Sequence, residues 1–392
     1  MSFISRIIGD FIKKADMVLL LLCTITSIFG IVIIASATNA LGNSSYVSIM
    51  VIALILGIIT YVVLTLIDVD IIAERRELLL IFCILFIGSL YFFGVTVDGN
   101  KSWLDIPLLP MNIQPAEICK IFYIIILAKM MSVNQNKLSS PLTVGKMAIL
   151  MGFFFAYIFV ISSDAGVALI YVFIFITMAF AGGVNLIWFV LGIGAIVLVL
   201  AAAFAVPDIR EKIMDTHWYE RIMMFFDPSI DPKGTGVRWH TNLSLQYVQN
   251  GGVAGRGLFE GTMVQGKVMP AQHTDFIFSS IAEELGLIGC VVVLLLLSAI
   301  VIRIIYVGVK SGNYMNRIIC MGIAGMLLFQ IVVNVGMCIG LFPVIGLTLP
   351  FISYGGSSLV TMFMAMGVVS GIHMRPAPDG TARYIRPKTM LS

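Results

Sequence analysis

Charge is what this sequence has least of. Of its 392 residues only 11% are Asp, Glu, Lys or Arg, where a soluble globular domain carries roughly a quarter. That shortage excludes an ordinary soluble domain. The formal net charge of +3 says little about partners. There is no basic cluster with interleaved aromatics, so nucleic acid is not among them. Cysteine is nearly as scarce. All six (Cys23, Cys83, Cys119, Cys290, Cys320 and Cys338) fall in apolar stretches. They have neither zinc-site spacing nor loop positions, which excludes a disulfide or metal framework and leaves them as packing residues. A G-x-G-x-x-G fingerprint is missing too. The one glycine-rich run, GGVAGRGLFEG from Gly251, is G-x-x-G-x-G without a preceding strand, and reads as a tight loop packed on the membrane surface. No internal repeat is visible, which disfavours an inverted-repeat transporter.

What the chain has in abundance is apolar sequence: 59% hydrophobic residues and a mean hydropathy of +1.04. A bilayer core takes about 20 apolar helical residues to cross. Ten stretches qualify: 17–37, 45–67, 77–96, 114–133, 144–162, 165–183, 185–206, 276–305, 316–341 and 350–373. The expected fold is therefore all-α, a polytopic membrane protein of about ten helices. The first stretch follows a positive flank, SRIIGDFIKKAD, but lacks a small-residue cleavage site and reads as a retained helix. Lys and Arg crowd the connections on one side (Arg6, Lys13, Lys14, Arg75, Arg76, Lys137, Lys146, Arg303, Lys310, Arg317 and the tail), against Lys101 alone in the short connections of the other. By the positive-inside rule both termini are cytoplasmic, and the large segment 207–275, between helices 7 and 8, is extracytoplasmic. Residues 374–392 form a short basic cytoplasmic tail suited to anionic lipid.

Ionisable residues inside such spans are functional hypotheses, because an unpaired charge there is costly. Glu117 and Lys120 lie three apart in IQPAEICKIFYII and share a helix face. They form either a structural ion pair or a cavity lining in which Lys120 meets an anion and Glu117 holds it. Asp164, in ISSDAGVAL between two spans, is either a helix N-cap or a site residue. Three carboxylates enter the eighth span through PAQHTDFIFSSIAEELG, from Pro270. Asp275 stands at its mouth as N-cap or as general base. On a continuous helix Glu283 lies about 80° around and roughly 12 Å deeper, with Glu284 near the opposite face. Those two are expected to pair with a neighbouring helix or wet a cavity floor.

PAQHTDFIFSSIAEELG and the later NVGMCIGLFPVIGLTLPFISYGGSS, Asn334 to Ser358, closely resemble the hallmark motifs of the SEDS family (RodA, FtsW and SpoVE proteins). GNKSW, IQPAEICK, SDAG and YERIMMFFDP are weaker matches, and the ending GVVSGIHMRPA looks more RodA-like than FtsW-like. The resemblance implies a peptidoglycan glycosyltransferase in the bacterial cytoplasmic membrane. It would polymerise lipid II with undecaprenyl pyrophosphate as leaving group, in cell elongation or division. It puts the essential aspartate on Asp275 as general base, substrate contacts on Trp103, Lys120, Arg221 and Asp164, and supporting positions on Glu117, Glu283, His273, Ser353, Gly355 and Gly356. It allows for a divalent cation, Mg or Mn, at a site it does not specify. It implies a class B penicillin-binding protein as partner. A lipid II flippase and a non-catalytic scaffold for cell-wall synthases are the alternatives; charges clustered near the outer half favour the polymerase over the flippase.

Overall fold

The computed structural model describes residues 9, 11–40, 42, 44–97, 100–107, 110–214, 219, 223 and 238–376. Among them the long helices are α1 (Met17–Asn39), α2 (Ser45–Leu66), α4 (Arg76–Phe93), α5 (Pro115–Val133), α6 (Pro141–Ser162), α7 (Ala165–Gly182), α8 (Ile187–Ala205), α12 (Ile277–Lys310), α13 (Tyr314–Cys338) and α14 (Gly356–Met374). Short helices α3 (Val69–Glu74), α9 (Pro207–Met214), α10 (Trp239–Gly251) and α11 (Thr262–Gln265) lie in the connections. A two-stranded hairpin, β1 (Gly94–Val97) with β2 (Asn100–Leu104), is the one sheet among the described residues. The sequence expectation of ten spans ran the third one through the first strand.

Nine of the ten long helices are apolar and long enough to cross a bilayer. The tenth, α5, has the length but carries Glu117, Lys120 and Lys129, and it is mostly buried among its neighbours. Helix ends follow their local chemistry. Asp16, Ser140, Asp164 and Asn313 cap α1, α6, α7 and α13 with side-chain oxygens, and Pro115 and Pro141 open α5 and α6, positions where a missing N–H costs nothing. The core centres on α13, which packs against α5, α7 and α12, while α14 lies along α2. That second pair is close because Gly367 faces the α2 backbone: a Cβ there would sit 2.8 Å from the Tyr61 carbonyl oxygen. By contrast α8 has no buried residue at all. A helix apolar on every side, and packed on protein only at its Trp188–Phe189 end, is stable only in lipid.

Helix α12 is not continuous. At Gly286 the backbone turns to φ 66°, ψ −163°, a region essentially confined to glycine. A regular helix would bond Leu287 and Ile288 back to Glu283 and Glu284. Instead the glycine-rich loop takes both roles: Arg256 N and Gly257 N donate to the carbonyls of Glu283 (2.9 Å) and Glu284 (3.0 Å), while Leu287 N and Ile288 N donate to Gly252 (3.0 Å) and Val253 (3.3 Å). No side chain fits in this seam, since a Cβ on Gly286 would lie 2.4 Å from Gly255 N. The stretch from Leu287 to Lys310 gives roughly 36 Å of helix, enough to span the bilayer alone. Glu283 and Glu284 therefore end a separate first segment of α12, on the other side of the break from Leu287–Lys310, rather than lying on one unbroken helix as the sequence pattern suggested.

Candidate functional site

Asp275 lies in a knotted turn before α12, not on it. Thr274 N and Phe276 N both return to the Ala271 carbonyl (3.1 and 3.3 Å), as does Thr274 Oγ1 at 3.1 Å. The N-cap is Phe276, so the N-cap alternative for Asp275 does not hold. The next three carbonyls each accept a hydrogen bond from the segment 334–354. His273 takes the Tyr354 amide (2.9 Å), Thr274 the Ser353 hydroxyl (2.6 Å) and Asp275 the Asn334 side-chain amide (2.8 Å). Below them Gln272 is anchored through Nε2 to Ala37 (2.7 Å) and Val264 (3.0 Å), and through Oε1 to the Tyr247 hydroxyl (3.0 Å). Every peptide carbonyl around Asp275 is thus occupied, while its side chain is only half-buried. The carboxylate faces the 339–355 connection, where a Cβ on Gly346 would be 3.4 Å from Asp275 Oδ2. His273 packs edge-on against Tyr46, 4.9 Å between ring centroids, and beside Tyr354 at 5.5 Å.

The same connection touches a second cluster. Gly166, in the first turn of α7, approaches the Ile345 carbonyl, to which a Cβ would come within 3.0 Å. Next to it Asp164 caps α7 by accepting from Val167 N (3.0 Å) and takes a further bond from Gln114 Nε2 (3.2 Å). Burial lifts its carboxyl above the ordinary aspartate range, and Glu117 adds to the rise. The Val167 amide, Lys120 and Gln114 pull the other way. On α5, Lys120 Nζ lies 2.6 Å from Glu117 Oε1, with Lys120 fully enclosed. The contact that both sequence readings require is made, with no exposure left to Lys120, and Asp164 is an N-cap that also stands beside this pair. Ser357 Oγ accepts from Gln114 N at 3.2 Å, tying the start of α14 to the cluster.

The remaining sequence-derived positions scatter around these two centres. Trp103 is half-buried on β2, opposite Val95, and its neighbour Ser102 bonds the Ser162 carbonyl at the α6–α7 corner (3.3 Å). Ser353 bridges Thr274 to Leu349. Gly355 N lies against Met50 Sδ, and Gly356 packs on Met111. Glu283 stays away from Asp275: its carboxylate accepts from Met263 N (2.9 Å), Val264 N (2.8 Å) and Asn250, capping α11, whose own N-cap Gly261 has no side chain to do so. Glu284 accepts from Ser36 of α1 (2.6 Å) and Gln265 (3.1 Å). Arg221 lies outside the described residues. Among the described residues no three His, Cys, Asp or Glu side chains converge, so they present no ready-made metal cage. Asn334 and Gln272 were missed; the signal for Asn334 was a lone amide in the apolar run IVVNVG, and Gln272 stood unremarked inside PAQHTDFIFSSIAEELG.

A helical membrane bundle with one carboxylate in a rigid, part-exposed turn at its loop-rich end defines the class. Residues 16–377 match the model of the FtsW, RodA and SpoVE cell cycle protein family, and the chain belongs to that family. It is 30% identical over 318 residues to the peptidoglycan glycosyltransferase MrdB of Escherichia coli K12, covering 81% of this chain and 83% of the relative. It is 34% identical over 285 residues to the stage V sporulation protein E of Bacillus subtilis, covering 71% and 73%. Its fold is similar to a chain from a structure described as structural coordination of polymerization and crosslinking by a peptidoglycan synthase complex. There the TM-score is 0.76 at 26% identity, covering 93% of this chain and 99% of that one. It is also similar in fold to RodA of Thermus thermophilus, with a TM-score of 0.67, 24% identity and coverage of 93% and 98%.

Proposed function

We propose that this protein is a peptidoglycan glycosyltransferase that polymerises lipid II at the outer face of the bacterial cytoplasmic membrane, with both termini cytoplasmic and residues 207–275 extracytoplasmic. The observation that carries the reading is the Asp275 turn: a half-exposed carboxylate on a backbone whose carbonyls are all tied down. Relatives named peptidoglycan glycosyltransferase supply the reaction class. An acceptor sugar hydroxyl is a weak nucleophile until a base takes its proton, and Asp275 fills that role. The hydroxyl oxygen bonds to the donor's anomeric carbon as the bond to pyrophosphate breaks. The electron pair leaves with undecaprenyl pyrophosphate, the proton stays on Asp275 until water removes it, and the anomeric centre inverts. The broken bond supplies the energy.

Positive charge near the departing pyrophosphate stabilises it. Lys120 would have to leave Glu117 to reach a phosphate, which favours Arg221, on the outer connection, as the direct partner. The Glu117–Lys120 pair then stiffens the corner where Asp164 and Trp103 meet substrate. A class B penicillin-binding protein, whose transpeptidase crosslinks the product, is the proposed partner, in line with the synthase complex that the fold resembles. Purified chain with that partner and labelled lipid II is expected to give glycan ladders that vanish in Asp275→Ala. Lipid scrambling in liposomes without ladders would replace the polymerase reading with a flippase.

A further inference from the structure

We propose that Asn334 is the positioning residue of the Asp275 carboxylate, an inference that rests on the reading of Asp275 as general base. Asn334 sits on α13 four residues before its end, fully buried. Its side-chain amide has two N–H groups, and both are used. One donates to the carbonyl of Asp275 itself at 2.8 Å, the other to the carbonyl of Leu347 at 2.6 Å. Leu347 follows Gly346, the residue that faces Asp275 Oδ2. One rigid amide therefore fixes the separation between the base and the loop across from it. The other two carbonyl contacts, from Ser353 and Tyr354, come from that loop. Of the three only Asn334 comes from a membrane helix; Cys338 of the same helix adds a longer Sγ contact to the Asp275 carbonyl at 3.8 Å, so α13 references the turn to the bundle chiefly through Asn334.

The cost of this residue argues the same way. Its Oδ1 is buried without a hydrogen-bond partner, and an unsatisfied buried acceptor is unfavourable. Around it α13 reads Ile331, Val332, Val333 and Val335, so a leucine would suit the helix better. What a leucine cannot do is hold two carbonyls at once. Releasing the Asp275 peptide lets the carboxylate drift, and misplacement by about 1 Å costs on the order of 100-fold in rate.

The test uses the full chain with its partner transpeptidase and labelled lipid II. Turnover, KM, melting temperature and hydrogen exchange over residues 271–277 are measured for wild type, Asn334→Leu, Asn334→Ala and Asn334→Gln. Asn316→Leu removes another buried amide near the opposite end of α13 and serves as control. Asn334→Leu is expected to lower kcat by roughly 10- to 100-fold with KM changed by no more than about twofold. Exchange at 271–277 should accelerate, Asn334→Gln should recover part of the turnover, and Asn316→Leu should leave both readouts alone. Folded Asn334→Leu or Asn334→Ala with wild-type kcat overturns the proposal. So does an equal loss in Asn316→Leu, or a failure of both Asn334 variants to fold, which would make the residue purely structural. Absence of ladders from wild type would instead sink the polymerase reading, and the exchange comparison would still decide whether Asn334 holds the turn.

Discussion

The enclosed pair Glu117–Lys120 and the half-buried Asp164 carry most of the charge near the α5–α7 corner. Removing one member of a buried pair strands the other, at about 3–5 kcal/mol. Glu117→Gln and Lys120→Met are each expected to lower the melting temperature in detergent more than the double variant does. Melts of all three check this, and additive losses would contradict it. For Asp164 the sign follows from a folded-state pKa above the unfolded value. The neutral form is favoured on folding, so its stabilisation is full below the ordinary aspartate range and is lost as pH rises through the raised value. Wild type is expected to lose stability relative to Asp164→Asn over that rise, measured as melting temperature against pH; parallel curves would refute it. At this scale the sequence was half legible. The three-residue spacing of Glu117 and Lys120 announced their contact, whereas Asn334 and Gln272 act through backbone carbonyls brought near by tertiary folding, which no local spacing encodes.

Helix positions were readable because runs of apolar residues bounded by Pro115, Pro141 or Asp164 leave few other options. The break in α12 was not. Gly286 is one of two glycines in ELGLIG, and its meaning appears only when the loop around Gly255 supplies the missing hydrogen bonds. The glycine-rich run, read from sequence as a packed surface loop, packs against that break. An Ala at 286 would face both a glycine-only backbone conformation and a collision with Gly255 N. Gly286→Ala is expected to destabilise by at least ~1–3 kcal/mol and to cut polymerisation through the disturbed start of α12. A melting temperature equal to wild type would show that α12 can close into a continuous helix without loss. Glu283, by contrast, supports α11 from a distance, so Glu283→Gln should loosen the 250–265 region while leaving KM for lipid II near wild type. Hydrogen exchange and a saturation curve measure both.

For the whole molecule, the uneven Lys and Arg distribution is the basis of the proposed orientation, and the buried state of all six cysteines makes that orientation easy to test. Lys101→Cys is expected to react with an impermeant maleimide in intact cells, and Lys137→Cys only after permeabilisation; the reverse pattern would invert the topology and put the Asp275 turn on the wrong side for the proposed reaction. The two long sequence motifs, 64 residues apart at their first positions (334 − 270), are stitched together through three consecutive carbonyls beside one carboxylate. That joint is the centre of the account, and Asp275→Asn probes it most directly, since it keeps the side chain's shape and removes its basicity. With melting temperature unchanged, lipid II turnover by the purified complex is expected to fall by about 100-fold or more. Turnover within a few-fold of wild type would contradict the general-base assignment.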